Sequence, residues 1–202
     1  MSKTPWDFHG DLSADRLQLV AKVLTDVRNE TVLQHDLAAG DTSWSLGCRV
    51  YARTAELLTR AAGTLFPWMR VINPPLEFIF CIGDVPVRFF HGDADHLATH
   101  HLRVAAMEHQ QLEFAFGDGR TDLVWRIVVE SDAAGLTDKT VLVGSSHLGA
   151  VTCAYEIPPL RDTVAFLDPL KTPTLPGVEL PVPPVSRRRI AGLKDEDDGA
   201  EV

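Results

Sequence analysis

Between Leu76 and Ile157 the apolar residues come in short runs divided by glycine- and aspartate-containing turns. The runs cover residues 76–82, 85–90, 112–116, 123–130, 140–143 and 150–157. Runs of four to eight residues, rich in β-branched and aromatic side chains, are the length of strands rather than helices. In the 123–130 run, Trp125, Ile127 and Val129 share one side of a two-residue period, and Arg126, Val128 and Glu130 share the other. A parallel pair needs a crossover of about a dozen residues, whereas an antiparallel pair needs only a turn. The spacing therefore predicts an antiparallel sheet of roughly six strands. Pro86 lacks a ladder donor, so 85–90 is expected at an edge or with the proline at its start.

Upstream the period changes. Leu17, Val20, Leu24 and Val27 recur at three- and four-residue spacing, which predicts a helix over 13–39 with Ser13 as cap and a weak point at 29–31. Gly40 stops it. Asp41, Thr42 or Ser43 then caps a second helix, with Leu46, Val50, Leu57, Leu58 and Ala61 turned inward and Gly63 at its end. A third helix is expected over 97–111. The fold class follows as α+β: an N-terminal helical hairpin and a third helix on one face of the sheet. Residues 1–157 make a single domain. From Pro158 the composition shifts to prolines and then to acidic residues, so 158–202 reads as an extended, proline-rich C-terminal tail with an acidic end.

Composition narrows the function classes. The chain of 202 residues has a net charge of −9, and Arg187-Arg188-Arg189 is its basic run. An acidic surface repels phosphate backbones and anionic lipid, so neither general nucleic-acid binding nor membrane docking is expected. No stretch reaches the apolar length of a membrane span, and the first residues lack a signal-peptide pattern, so a cytoplasmic location is expected. Cys48, Cys81 and Cys153 form no CxxC pair and read as small core hydrophobes in a reducing compartment.

One stretch concentrates side chains able to bind metal or move protons. Five of the eight histidines fall between His91 and His109. Imidazole and carboxylate groups suit zinc or manganese, which makes His91, Asp93, Asp95, His96 and His100 candidate ligands. His96 and His100 would share a helix face if the helix began there. The run from His91 to His96 reads HxDxDH and resembles the HxHxDH metal motif of metallo-β-lactamase-like hydrolases. That resemblance would imply a metal-dependent hydrolase with His147 and Asp168 as later ligands. It spans six residues and departs in three ways: Asp93 stands for the second histidine, the upstream half is helical, and no histidine follows Asp168. The chain is therefore not assigned to that family. Read without a metal, Asp93 or Asp95 is a helix cap.

Other catalytic patterns are missing. Ser145-Ser146-His147 reads as a polar turn, because adjacency in sequence does not make a nucleophile–base pair. There is no GxSxG elbow and no phosphate-binding loop. The strand carboxylates lack the lysine that a two-metal nuclease site often carries. Large aromatic residues outside regular elements, Trp6, Phe8 and Trp68, are candidate partner anchors, as is the tail segment Leu180, Pro181, Pro183 and Pro184. The sequence favours a non-catalytic protein–protein interaction subunit or adaptor of a larger cytoplasmic, bacterial-type assembly. It needs no cofactor. The alternative is a zinc- or manganese-dependent hydrolase built on residues 91–101.

Overall fold

The structure, a computed structural model, describes residues 3–74, 77–97, 102–116, 123–146 and 148–160. They belong to one compact unit of α+β class. A 3-10 turn, Pro5–Asp7, leads into helices α1 (Ala14–Leu33) and α2 (Ser43–Ala61). Strands β1 (Met69–Asn73), β2 (Ile79–Ile82) and β3 (Val85–His91) follow, then helix α3 (Ala106–Phe116). Strands β4 (Leu123–Ser131), β5 (Thr137–Ser146) and β6 (Val151–Glu156) complete the order. No helix among the described residues is long and apolar enough to cross a membrane.

The six strands lie side by side in chain order. The sheet is mixed rather than wholly antiparallel. Four neighbouring pairs are antiparallel, but β3 and β4 run parallel, with Val87 opposite Trp125 and His91 opposite Val129. The crossover between them carries α3, which supplies the length a parallel pair requires. Residues 112–116, expected as a strand, form the end of that helix. The helix itself starts at Ala106, not at 97. Met69–Asn73 takes the sixth place in the sheet as β1. Pro86 sits inside β3, one residue before the parallel ladder begins at Val87, so its missing donor costs that ladder nothing.

Helix α1 buries Leu17, Val20, Val23, Leu24 and Val27. It ends at Leu33 and runs unbroken through 29–31, because tertiary contacts use the residues that read as breakers. The Thr31 hydroxyl accepts from the Arg53 guanidinium of α2 at 3.1 Å, and Asn29 Oδ1 accepts from the Thr137 N–H at 2.8 Å. Arg28 Nε donates to the Gly135 carbonyl, so two side chains of α1 hold the β4–β5 turn. Ser13 occupies the N-cap of α1 without a side-chain cap bond. Thr42 caps α2: its hydroxyl accepts from the Ser45 N–H, and the Ser45 hydroxyl accepts from the Thr42 N–H.

Trp125, Ile127 and Val129 face the helices, in one core with Val87, Phe89, Leu142, Leu17, Leu24 and Leu58. The alternate residues of β4 are buried too. Val128 packs with Val141, Val143 and Ala94 in a second cluster. Arg126, fully buried, holds the equally buried Glu108 of α3 through two guanidinium–carboxylate contacts. The third helix thus reaches the face opposite Trp125 through Glu108, while its Leu112 and Phe116 pack against the main core. Trp125 faces Gly144 across the β4–β5 ladder. A Cβ at Gly144 would lie 2.7 Å from the indole Cζ3, so only glycine leaves room for the ring. Gly83, at φ +60°, turns the chain between β2 and β3. There the Asp84 N–H donates to Asp11 Oδ2 at 3.1 Å.

The expected boundary at 157/158 falls just after β6, and residues beyond 160 lie outside the described part.

Candidate functional site

The histidine cluster divides in space by environment. His91 ends β3 with both ring nitrogens buried and, among the described residues, without a hydrogen-bond partner. Burial, with a smaller push from the Arg28 charge, lowers its pKa to about 4, so the ring is neutral at physiological pH. Asp93 and His96 lie instead on the surface as an exposed pair, Oδ2 to Nδ1 2.9 Å. The His96 hydrogen bond holds the Asp93 carboxyl below its ordinary range, and Asp93 raises His96 in return. Asp93 Oδ1 also accepts from the Asp95 N–H at 2.8 Å, a local turn rather than a helix cap. His96 precedes α3 without being part of it. His100 lies outside the described residues. Among the described residues, no three histidine, cysteine, aspartate or glutamate side chains gather where they could hold a metal.

Ser145 pairs with Val124 in the β4–β5 ladder, and its hydroxyl is buried without a partner among the described residues. The Ser146 hydroxyl accepts from the Ala150 N–H at 3.1 Å, closing the β5–β6 turn. His147 lies outside the described residues. A cleft of about 190 Å3 opens between α1 and the β5–β6 side of the sheet. Its lysines are committed: Lys22 to Asp26 at 2.9 Å and Lys139 to Glu130 at 3.2 Å. An ionic ligand would therefore compete with pairs already formed.

The three aromatic candidates contact their own chain. Phe8 stands edge-on to Trp125 at 5.6 Å. Trp68 stacks on Phe66 at 5.1 Å with the Arg16 guanidinium over it. Trp6, 39% exposed, sets its edge against Tyr155 at 5.2 Å. Leu180, Pro181, Pro183 and Pro184 lie outside the described residues.

A different apolar surface is exposed at the tip of the helical hairpin. Leu33 at the end of α1, Leu37 in the connection and Trp44 in the first turn of α2 are 81%, 75% and 77% exposed. Cys48, one turn beyond Trp44, is exposed, unlike the buried Cys81 and Cys153. This corrects the expectation that all three thiols lie in the core. Ala52, one turn further, is exposed as well.

The tip is held in shape by polar bonds rather than by apolar burial. The Asp36 N–H donates to Asp41 Oδ2 at 3.0 Å, and the Asp41 N–H to the Asp36 carbonyl at 3.1 Å. The Ala38 N–H donates to Asp36 Oδ1 at 2.8 Å. Arg49 donates to Asp41 Oδ2 at 2.7 Å, with His35 beside them. The Asp36 N–H, with help from Arg49 and Ser45, holds the Asp41 carboxyl below its ordinary range. Sequence reasoning missed this surface. The available signal was that Trp44, Cys48 and Ala52 lie off the stripe of Val50, Thr54, Leu58 and Ala61 that α2 buries.

No protein-family model, curated protein or solved structure matches the chain.

Proposed function

We propose that this protein is a non-catalytic protein–protein interaction subunit of a cytoplasmic assembly, and that the hairpin tip is its contact surface. The observation behind this reading is a set of large apolar side chains, Leu33, Leu37 and Trp44, exposed at the end of α1, in the connection and at the start of α2, about a loop ordered by its own hydrogen bonds. Scattered single apolar residues on a surface are ordinary, but three large ones within one helix–turn–helix tip, each at least 75% exposed, are the form of a contact site. An ordered loop loses little conformational entropy on docking, so more of the apolar gain appears as affinity. Tryptophan is enriched among the residues that dominate such contacts. The net charge of −9 favours a protein partner over a polyanion.

The test is a photo-reactive phenylalanine analogue at position 37, activated in cells that make the protein. The expected result is a discrete protein adduct, identified by mass spectrometry, that disappears when Trp44→Asp is added. A chain that yields no adduct from position 37 would remove the proposal.

A further inference from the structure

We propose that the cleft between α1 and the β5–β6 side of the sheet is a binding site for a small uncharged polyhydroxy compound, up to the size of a monosaccharide. The site is independent of the contact surface at the hairpin tip. Strand register decides which side chains the cleft receives. Thr140 stands opposite Val129 in the β4–β5 ladder, and Val129 belongs to the core beneath the helices. Directly opposed residues share a face, so Thr140 points toward α1. Lys139 stands opposite Glu130, and Glu156 opposite Val141, which packs in the second cluster. Both therefore direct their charges to the other face of the sheet. The register slips between Thr137, opposite Ser131, and Lys139, opposite Glu130. Asp138, the extra residue of that bulge, is exposed at the rim of the cleft.

Within the cleft lies a neutral set of hydrogen-bonding groups without partners. Thr140 is 4% exposed, and its hydroxyl makes no hydrogen bond among the described residues. The Thr137 hydroxyl is buried and, among the described residues, equally unpartnered. Thr31 and Thr59 donate to the carbonyl one helical turn back, each at 2.7 Å. Thr25, which lines the cleft, makes no such bond among the described residues. Gln18, two turns before Thr25 on the same side of α1, adds an amide. The charges that α1 brings to the cleft, Lys22 and Asp26, neutralise each other at 2.9 Å. A buried hydroxyl without a partner is unfavourable, and a ligand hydroxyl bonded to it removes that penalty. A charged ligand has to draw Lys22 and Asp26 apart first. Ala21, Ile157 and Leu160 give an apolar wall for the C–H side of such a molecule. A cavity of about 150 Å3 holds a six-carbon ring. The cleft, at about 190 Å3, suits roughly six to twelve non-hydrogen atoms, from a triol to a hexose. Neutral hydrogen bonds to so small a compound imply dissociation in the millimolar range.

The experiment follows the backbone amides of the full chain by NMR during titration with glycerol, xylose and glucose. Gluconate and glucosamine serve as charged compounds of similar size. At least one neutral compound should shift the amides of residues 137–140 and of the first half of α1 saturably, and the charged pair should bind roughly fivefold more weakly. Thr140→Val keeps the side-chain shape and suits a strand; losing the hydroxyl should weaken binding about fivefold. Thr25→Leu fills the cleft from a position where leucine is the better helix former, and it should abolish binding. Unmoved amides away from the cleft show that a variant is folded, and either variant alone suffices for the test. No saturable shift with any neutral compound up to roughly 100 mM, far above the expected dissociation constant, would overturn the proposal. Binding that survives both substitutions would overturn the site, and equal or tighter binding of a charged compound would overturn the ligand class.

Discussion

His91 carries two nitrogens into a place where neither finds a hydrogen-bond partner among the described residues, and it does so at the end of a core strand. A histidine whose folded pKa is about 4, against an ordinary 6.5, binds fewer protons when folded than when unfolded over the interval between those values. Its neutral form therefore supports the fold fully above pH 6.5, and that support is lost as pH falls from 6.5 toward 4. At about 1.4 kcal/mol per pH unit, the shift predicts a loss of about 2 kcal/mol between pH 7 and pH 5. His91→Phe, compared with the parent by urea unfolding at both values, should remove most of that difference. An unchanged pH dependence in the variant would contradict the buried, neutral ring. The sequence showed this histidine only as one of a cluster; burial sets it apart, and burial is decided by strands and helices distant in the chain. Two glycines give a second contrast. Gly144→Ala places a Cβ against the Trp125 indole and should cost about 1–3 kcal/mol as overpacking. Gly47→Ala, within α2 and facing open space, should gain up to about 1 kcal/mol from helix propensity. Thermal unfolding of the two variants should move in opposite directions.

Helix α3 is attached in an unusual way: among its residues, the one that is fully buried is an acid. Glu108 lies on Arg126, and its Oε2 also accepts, at 3.4 Å, from the N–H of Ala105 just ahead of the helix, half of a capping box. Arg126 further donates to the carbonyls of Trp125 and Arg103 at 2.9 and 3.1 Å. A buried ion pair adds little net stability, but breaking one half leaves an unpaired charge that costs about 3–5 kcal/mol. Arg126→Met alone should therefore destabilise strongly, and Glu108→Leu added to it should restore most of the loss in a double-mutant cycle. Equal stability of the single and double variants would show that the pair is not buried as described. This pair also explains why α3 was misread. The run at 112–116, Leu-Glu-Phe-Ala-Phe, alternates as a strand does, and its Phe114 is left 73% exposed. What makes it helical is the anchor at Glu108 and the crossover that the parallel β3–β4 pair demands. No period in the sequence reports either one. The first two helices and strands β2 to β6, apart from their ends, were readable because each carries its apolar pattern locally. β1 was not, since Met69–Asn73 is short, borders a proline-rich stretch and has an irregular register.

Taken together, the layers explain which apolar side chains stay exposed. The central strand β4 is buried from Leu123 to Val129, alternate residues on opposite faces. A strand buried on both sides reads as a near-continuous apolar run, and the run from Leu123 to Val129, broken by Arg126 alone, is of that kind. The aromatic residues outside regular elements were sensible candidates for partner anchors, yet Phe8, Trp68 and Trp6 meet rings of their own chain. The exposed group was harder to see, because its members are spread over the end of one helix, a turn and the start of the next, and only the hairpin gathers them. Metal content bears on the alternative reading. Protein purified without an affinity tag should carry well under one zinc or manganese per chain by elemental analysis. A stoichiometric metal would require ligands beyond the Asp93–His96 pair and would move the functional site to residues 91–101.

The most direct measurement is the rate at which a maleimide labels Cys48, compared between the dilute purified protein and the same protein inside the cells that make it. Cys48 is the one exposed thiol of the chain's three, so the label reports on the outer face of α2 without a mutation. Slower labelling in the cell, by at least severalfold relative to a free-thiol standard and reversed by Trp44→Asp, is the result a covered face predicts. Labelling at the free-thiol rate in both settings would mean that nothing docks there.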